Sequence, residues 1–167
     1  MRRKTKVGIV LVITATLMLS ACTPNQIQMA EQLALVLVQD IPQFIVLFGN
    51  PSKGTVNIMD TAVADATQSA ALLQQAIADF KTAGPTTTAE KVHFYVNEID
   101  KDLKPILAMT GGNQKLAAAI TLAITTAEQI DAVFPVSPTP AAVKATNRVR
   151  LPNPKDVDKK FHALFGY

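Results

Sequence analysis

A chain with two histidines and one cysteine offers few places for metal or nucleophile chemistry, and Glu90-Lys91-Val92-His93 is the first to consider. A Glu and a His three residues apart stand on one face of a helix, the spacing by which helical bundles hold paired metal ions. Such a centre needs a second Glu-x-x-His and two further glutamates from facing helices. The best partner here, Glu128-Gln129-Ile130-Asp131, has no histidine, and the chain's other glutamates are Glu31 and Glu98. Glu90 also has a competing use in a helix cap, described below. His93 is therefore expected on the surface, and no metal is expected. Asp100 and Asp102, beside Lys101 and Lys104, read as a solvated helix face rather than a catalytic acid pair. Gly111-Gly112 lacks the following Lys-Ser/Thr and the preceding strand of a phosphate loop. Ser52, Ser69 and Ser137 sit in no nucleophile signature. No catalytic residue and no cofactor are expected, and the chain reads as non-enzymatic.

Cys22 is the remaining reactive side chain, and its setting is informative. Arg2, Arg3, Lys4 and Lys6 open the chain, and an uncharged apolar run follows from Val7 to Ala21. As a helix, those 15 residues would reach about 22 Å, short of the roughly 30 Å hydrocarbon core. A basic start with a short apolar run reads as an export signal; the alternative is an uncleaved N-terminal anchor. The run closes with Leu19-Ser20-Ala21-Cys22, which resembles the lipobox of bacterial lipoproteins. The resemblance covers the signal peptide, 1–21, and the cysteine after it. It implies a diacylglyceryl group on the Cys22 sulfur, cleavage after Ala21 and acylation of the new amino terminus, so that Cys22 is the lipid attachment site. Two or three acyl chains anchor a protein firmly where one does so marginally. The competing reading makes Cys22 a small residue at an ordinary signal-peptide site. Thr23 stands where an aspartate would signal inner-membrane retention. The resemblance thus implies the cell outer membrane, facing the periplasm, or the outer face of the plasma membrane in a Gram-positive source.

Export changes the charge arithmetic. The full chain has 167 residues, 49% apolar and 17% charged, with 16 Lys+Arg against 13 Asp+Glu. Those proportions exclude a long disordered chain, and one cysteine excludes a disulfide framework or a four-cysteine zinc site. Without residues 1–21 the mature chain has 12 Lys+Arg against 13 Asp+Glu. Residues 22–140 carry a net −5 and residues 141–167 a net +4. The cations of that tail are Lys144, Arg148, Arg150, Lys155, Lys159 and Lys160. Two readings are open for it: docking on its own acidic body, or contact with an anionic surface such as phospholipid headgroups, envelope polymer or an acidic envelope protein. Nucleic acid is not an expected partner, because the predicted compartment lacks it and no aromatics interleave the cations.

The elements are legible from periodicity. A first helix over 24–48 begins with Thr23-Pro24-Asn25-Gln26, a capping box with proline at the first helical position. Its stretch from Leu33 to Phe48 is apolar almost all round, which predicts burial in the bundle interior; Asp40 and Pro42 argue against a membrane span. A second helix over 55–82 carries Val56, Met59, Val63, Ala66, Ala70, Leu73, Ile77 and Phe80 at spacings of three and four, a sustained heptad seam. The third, 88–109, carries Val92, Val96, Ile99, Leu103 and Ile106, with Thr87 and Glu90 as its capping box and Pro105 near its end. The fourth, 113–134, carries Leu116, Ile120, Ala123, Ala127, Ile130 and Phe134.

Half of the ten prolines fall between Pro135 and Pro154, so 135–153 reads as an extended proline-rich connector. Asn153-Pro154 then starts a short amphipathic C-terminal helix, 154–167, with Val157, Phe161, Leu164 and Phe165 on one face; the alternative is a frayed tail. The expected fold is all-α: an up-down four-helix bundle over 22–134, the connector, and the short terminal helix. The expected function is that of a lipid-anchored envelope lipoprotein acting as a non-enzymatic structural or interaction module. The alternative is a periplasmic bundle that binds a small ligand, or less readily a metal, in a cavity between the first and third helices, with Asp40 or Glu90/His93 supplying polar contacts.

Overall fold

Local signals start and stop the helices in the computed structural model, which describes residues 23–48, 53–80, 85–134 and 149–166. Residues 1–21, read above as a signal peptide, Cys22 and most of the expected proline-rich connector lie outside the described residues. Helix α1 (Pro24–Asp40) begins as its sequence dictates. Thr23 Oγ1 accepts from the Gln26 amide at 3.3 Å, and Gln26 Oε1 accepts from the Thr23 amide at 3.0 Å. Pro42 has no amide to donate, and there the helix tightens into a 3-10 turn, Ile41–Gln43, before resuming as α2 (Phe44–Phe48). The single helix expected over 24–48 is therefore broken at its proline.

Helix α3 spans Lys53–Ala78 and α4 spans Pro85–Ala108. The start of α4 corrects the sequence reading. Proline is its first residue, so Thr87 and Glu90 lie inside the helix instead of forming its capping box; a fixed φ preorganises the first turn. The helix also runs on past Pro105 to Ala108. Gly111 and Gly112, with φ of +57° and +92°, make the reversal that only glycine enters without strain. Asn113 then caps α5 (Gln114–Asp131), accepting from the Leu116 amide at 3.1 Å. Its Nδ2 donates to the Leu47 carbonyl at 2.6 Å, which ties the start of α5 to the end of α2. Helix α6 (Pro154–Phe165) is capped by Asn153, which accepts from the Lys155 amide at 3.0 Å, and ends at Gly166 in the left-handed region.

The predicted seams are the core. Met59, Val63, Ala66, Ala70, Leu73 and Ile77 are buried on α3, as are all five predicted residues of α4 and all six of the 113–134 segment; Val56 and Phe80, at the ends of their seam, are only half-buried. Small Ala66 and Ala70 are fully buried on α3, which packs on both α4 and α1. Helix α1 packs on α3 and α5, and α5 packs on α4, so these four close a circuit. Two contacts order the ends: Asn113 at the start of α5 reaches Leu47 at the end of α2, and Phe80, just past the end of α3, meets Phe134, just past the end of α5, edge-on at 6.0 Å. The fold is all-α, with no strand among the described residues.

The core does not stop at four helices. Helix α6 packs on α1 and α5, with Val157 and Phe161 buried in the same cluster and Leu164 and Phe165 half-buried, so the frayed-tail alternative is overturned. A second expectation is amended in α1 and α2. Leu33, Leu37, Ile41 and Phe44 are fully buried, but Leu35, Ile45 and Val46 are exposed, Val46 by 75%. The segment has one core face and one apolar solvent face. By length and composition alone Pro24–Phe48 is capable of crossing a membrane, and its buried face is what packs it on the other helices.

Candidate functional site

Where α1 ends, its last residue carries a charge into the core. Asp40 is only 3% exposed, it makes no side-chain cap to the 3-10 turn it precedes, and its Oδ2 has no hydrogen-bond partner. An unpaired buried carboxylate is costly, so its surroundings matter. Helix α6 supplies them. Asp158 and His162, one turn apart on that helix, face Asp40, with His162 Nε2 3.6 Å from Asp158 Oδ1. One donor atom from each of Asp40, Asp158 and His162 lies within 4.8 Å of the other two.

The segment after α1 and helix α6 also bring three rings together. Phe44, Phe161 and Phe165 form a trio with centroids 6.1 to 6.3 Å apart, Phe161 stacked on Phe165. Burial pushes the Asp40 carboxyl up to about 6; the neighbouring Asp158 charge adds to the rise, and His162 opposes it. Two carboxylates and an imidazole in a partly dry setting can share a proton near neutrality or surround a cation. Sequence reasoning named Asp40 as a possible polar contact but missed Asp158 and His162. The available signal was an Asp-x-x-x-His spacing on the polar flank of the terminal helix, obscured by the lysines around it.

The other predicted positions separate. Cys22 lies outside the described residues, as do Ser52 and Ser137. Glu90 is exposed, and His93 is exposed and joins α4 to α5 by pairing Nδ1 with Asp131 Oδ2 at 3.2 Å. Asp131 belongs to Glu128-Gln129-Ile130-Asp131, the segment weighed and set aside as partner for a Glu-x-x-His metal motif. Among the described residues no third ligand joins that pair. Lys101 pairs with Glu98 and Lys104 with Asp100 along the outside of α4, the expected solvated face. Asp102 is half-buried; burial first, then the Asp65 and Glu98 charges, raise its carboxyl.

Two adjoining grooves run between α3 and α4, one of about 270 Å³ lined by Asp65, Ser69, Phe94 and Tyr95, and one of about 580 Å³ lined by Asn57, Ile58, Thr61 and Pro105. They lie between the second and third long helices, not between the first and third where the ligand-binding alternative required a cavity. In the tail, Arg150, Lys155, Lys159 and Lys160 are exposed, while Lys144 and Arg148 lie outside the described residues. Docking of α6 buries its apolar residues Val157 and Phe161. Comparison of the chain with protein-family models, with curated proteins and with solved structures finds no match.

Proposed function

We propose that the protein is a lipid-anchored bacterial envelope lipoprotein whose helical body works through contacts rather than catalysis, with Cys22 as the lipid attachment site. The observation that carries this reading is the junction of Leu19-Ser20-Ala21-Cys22 with Thr23, because the residue after the cysteine is already the N-cap of α1. One residue spans no more than about 3.6 Å. Acyl chains on Cys22 therefore keep the N-terminal end of α1 at the headgroup layer. That end also holds part of the basic tail: Gln26 Nε2 donates to the Val149 carbonyl at 3.1 Å, and Arg150 beside it is exposed. A cation held next to the anchor supports contact of the tail with an anionic surface, phospholipid headgroups being the nearest. On this reading the protein faces the periplasm from the outer membrane, or lies outside the plasma membrane of a Gram-positive cell.

Metabolic labelling with palmitate and cell fractionation test the anchor. The wild-type chain is expected to carry label and to sediment with membranes, and Cys22→Ala to lose the label and accumulate unprocessed. Label retained by Cys22→Ala, or absent from the wild type, overturns the assignment. Crosslinking in intact cells, comparing the full chain with one ending at Pro135, tests the contact role: recovery of no partner by either removes its support.

A further inference from the structure

The cluster at the α1–α6 junction has the composition and spacing of a cation site. We propose that Asp40, Asp158 and His162 bind a divalent first-row transition metal ion, zinc being the one their donor set fits best, and that the ion clamps α6 to the end of α1. Three observations carry this. One donor atom from each residue lies within 4.8 Å of the others, and the Asp158–His162 pair is 3.6 Å apart. Ligands about 2.0 to 2.2 Å from one tetrahedral ion are themselves separated by about 3.4 Å, so a small closure of the three brings them onto a shared centre. Asp40 is only 3% exposed, one of its carboxylate oxygens faces the other two residues, and its Oδ2 is buried without a hydrogen-bond partner. Finally, two carboxylates stand together with one imidazole; as a metal ligand the imidazole is neutral, so a dication balances the two carboxylates.

The chemistry of the donors narrows the ion. Calcium and magnesium take shells made of oxygen alone, whereas an imidazole with two carboxylates suits zinc and its neighbours in the series. Three protein ligands leave a fourth position for water. Asp158 and His162 are partly exposed, which gives the ion its way in, while Asp40 is buried at the end of α1. Because Asp40 belongs to the first long helix and the other two ligands to the last, bound metal stabilises the folded state by joining the two ends of the mature chain.

Calorimetric titration of zinc chloride into chelator-stripped full chain in detergent, with thermal unfolding in parallel, tests the site. One ion per chain is expected, together with a rise in Tm that a chelator reverses. Asp40→Asn and His162→Gln should each weaken binding by at least about tenfold, whereas His93→Gln leaves it unchanged. Circular dichroism checks that each variant is helical. His162→Gln, at a partly exposed position, keeps the test usable if Asp40→Asn does not fold. A perturbed His162 imidazole signal in the NMR spectrum on adding zinc reports direct ligation. Absence of stoichiometric binding overturns the proposal, as does binding that survives His162→Gln or is lost in His93→Gln.

Discussion

His93 meets Asp131 at 3.2 Å between α4 and α5, and His162 meets Asp158 at 3.6 Å along α6, with imidazoles 52% and 45% exposed respectively. As pairs they are nearly interchangeable. What separates them is the ground beneath. Under His93 there is no third ligand among the described residues, although one Asp131 oxygen is shielded and unpartnered. Beside His162 lies Asp40, buried at the end of α1, its carboxyl displaced toward neutrality. A surface histidine–carboxylate pair contributes little because water screens it. The same pair over a buried charge becomes a place where protons or cations have to be managed, because desolvation amplifies every interaction there.

The comparison is broken most severely by detaching α6. Phe161 is fully buried between Phe44 and Phe165, and Phe161→Ala should cost about 3 to 5 kcal/mol in urea denaturation and abolish zinc binding. A loss under about 1 kcal/mol would mean that α6 is not part of the cooperative core.

The next effect comes from Asp40 itself. Its carboxyl is raised from 3.8 to about 6 on folding, so the folded state binds the proton more tightly than the unfolded one. Its penalty is absent below the unfolded value, grows as pH rises through that window, and is complete above the folded value, amounting to about 3 kcal/mol. Denaturation with a chelator present, from pH 3.5 upward, should show wild type losing stability relative to Asp40→Asn by that order as pH reaches about 7. Equal slopes for the two proteins would show that Asp40 is no different from an exposed acid. The smallest effect is expected at the other histidine, where His93→Gln should change stability by less than about 1 kcal/mol and leave the pH profile alone.

Much of the scaffold is legible from the chain. The alternation of threes and fours from Met59 to Ile77 and from Val92 to Ile106 marks core faces that are buried as expected, and Thr23 with Gln26 marks the first helix start. Errors arise where two local signals compete. At the start of α4 both Pro85 and the Thr87/Glu90 pair announce a helix, and the proline, preset in φ, takes the first position. In α1 and α2 the apolar character of both faces hides which one is buried, and Val46 lies on the solvent side. The site was half visible: Asp40 stands out as an acid in an apolar run, but its partners lie at the far end of the chain, beyond a proline-rich segment.

The sequence by itself determined the helices and their seams, because each depends on residues within one or two turns of one another. Tertiary structure alone decided that α6 shares the core, that Lys155, Lys159 and Lys160 stay outside it, and that Asp40, Asp158 and His162 converge. The reason is physical. Periodicity states that a helix has an apolar face but not which neighbour will cover it, and a carboxylate's behaviour is set by how much water is removed around it, which only packing specifies.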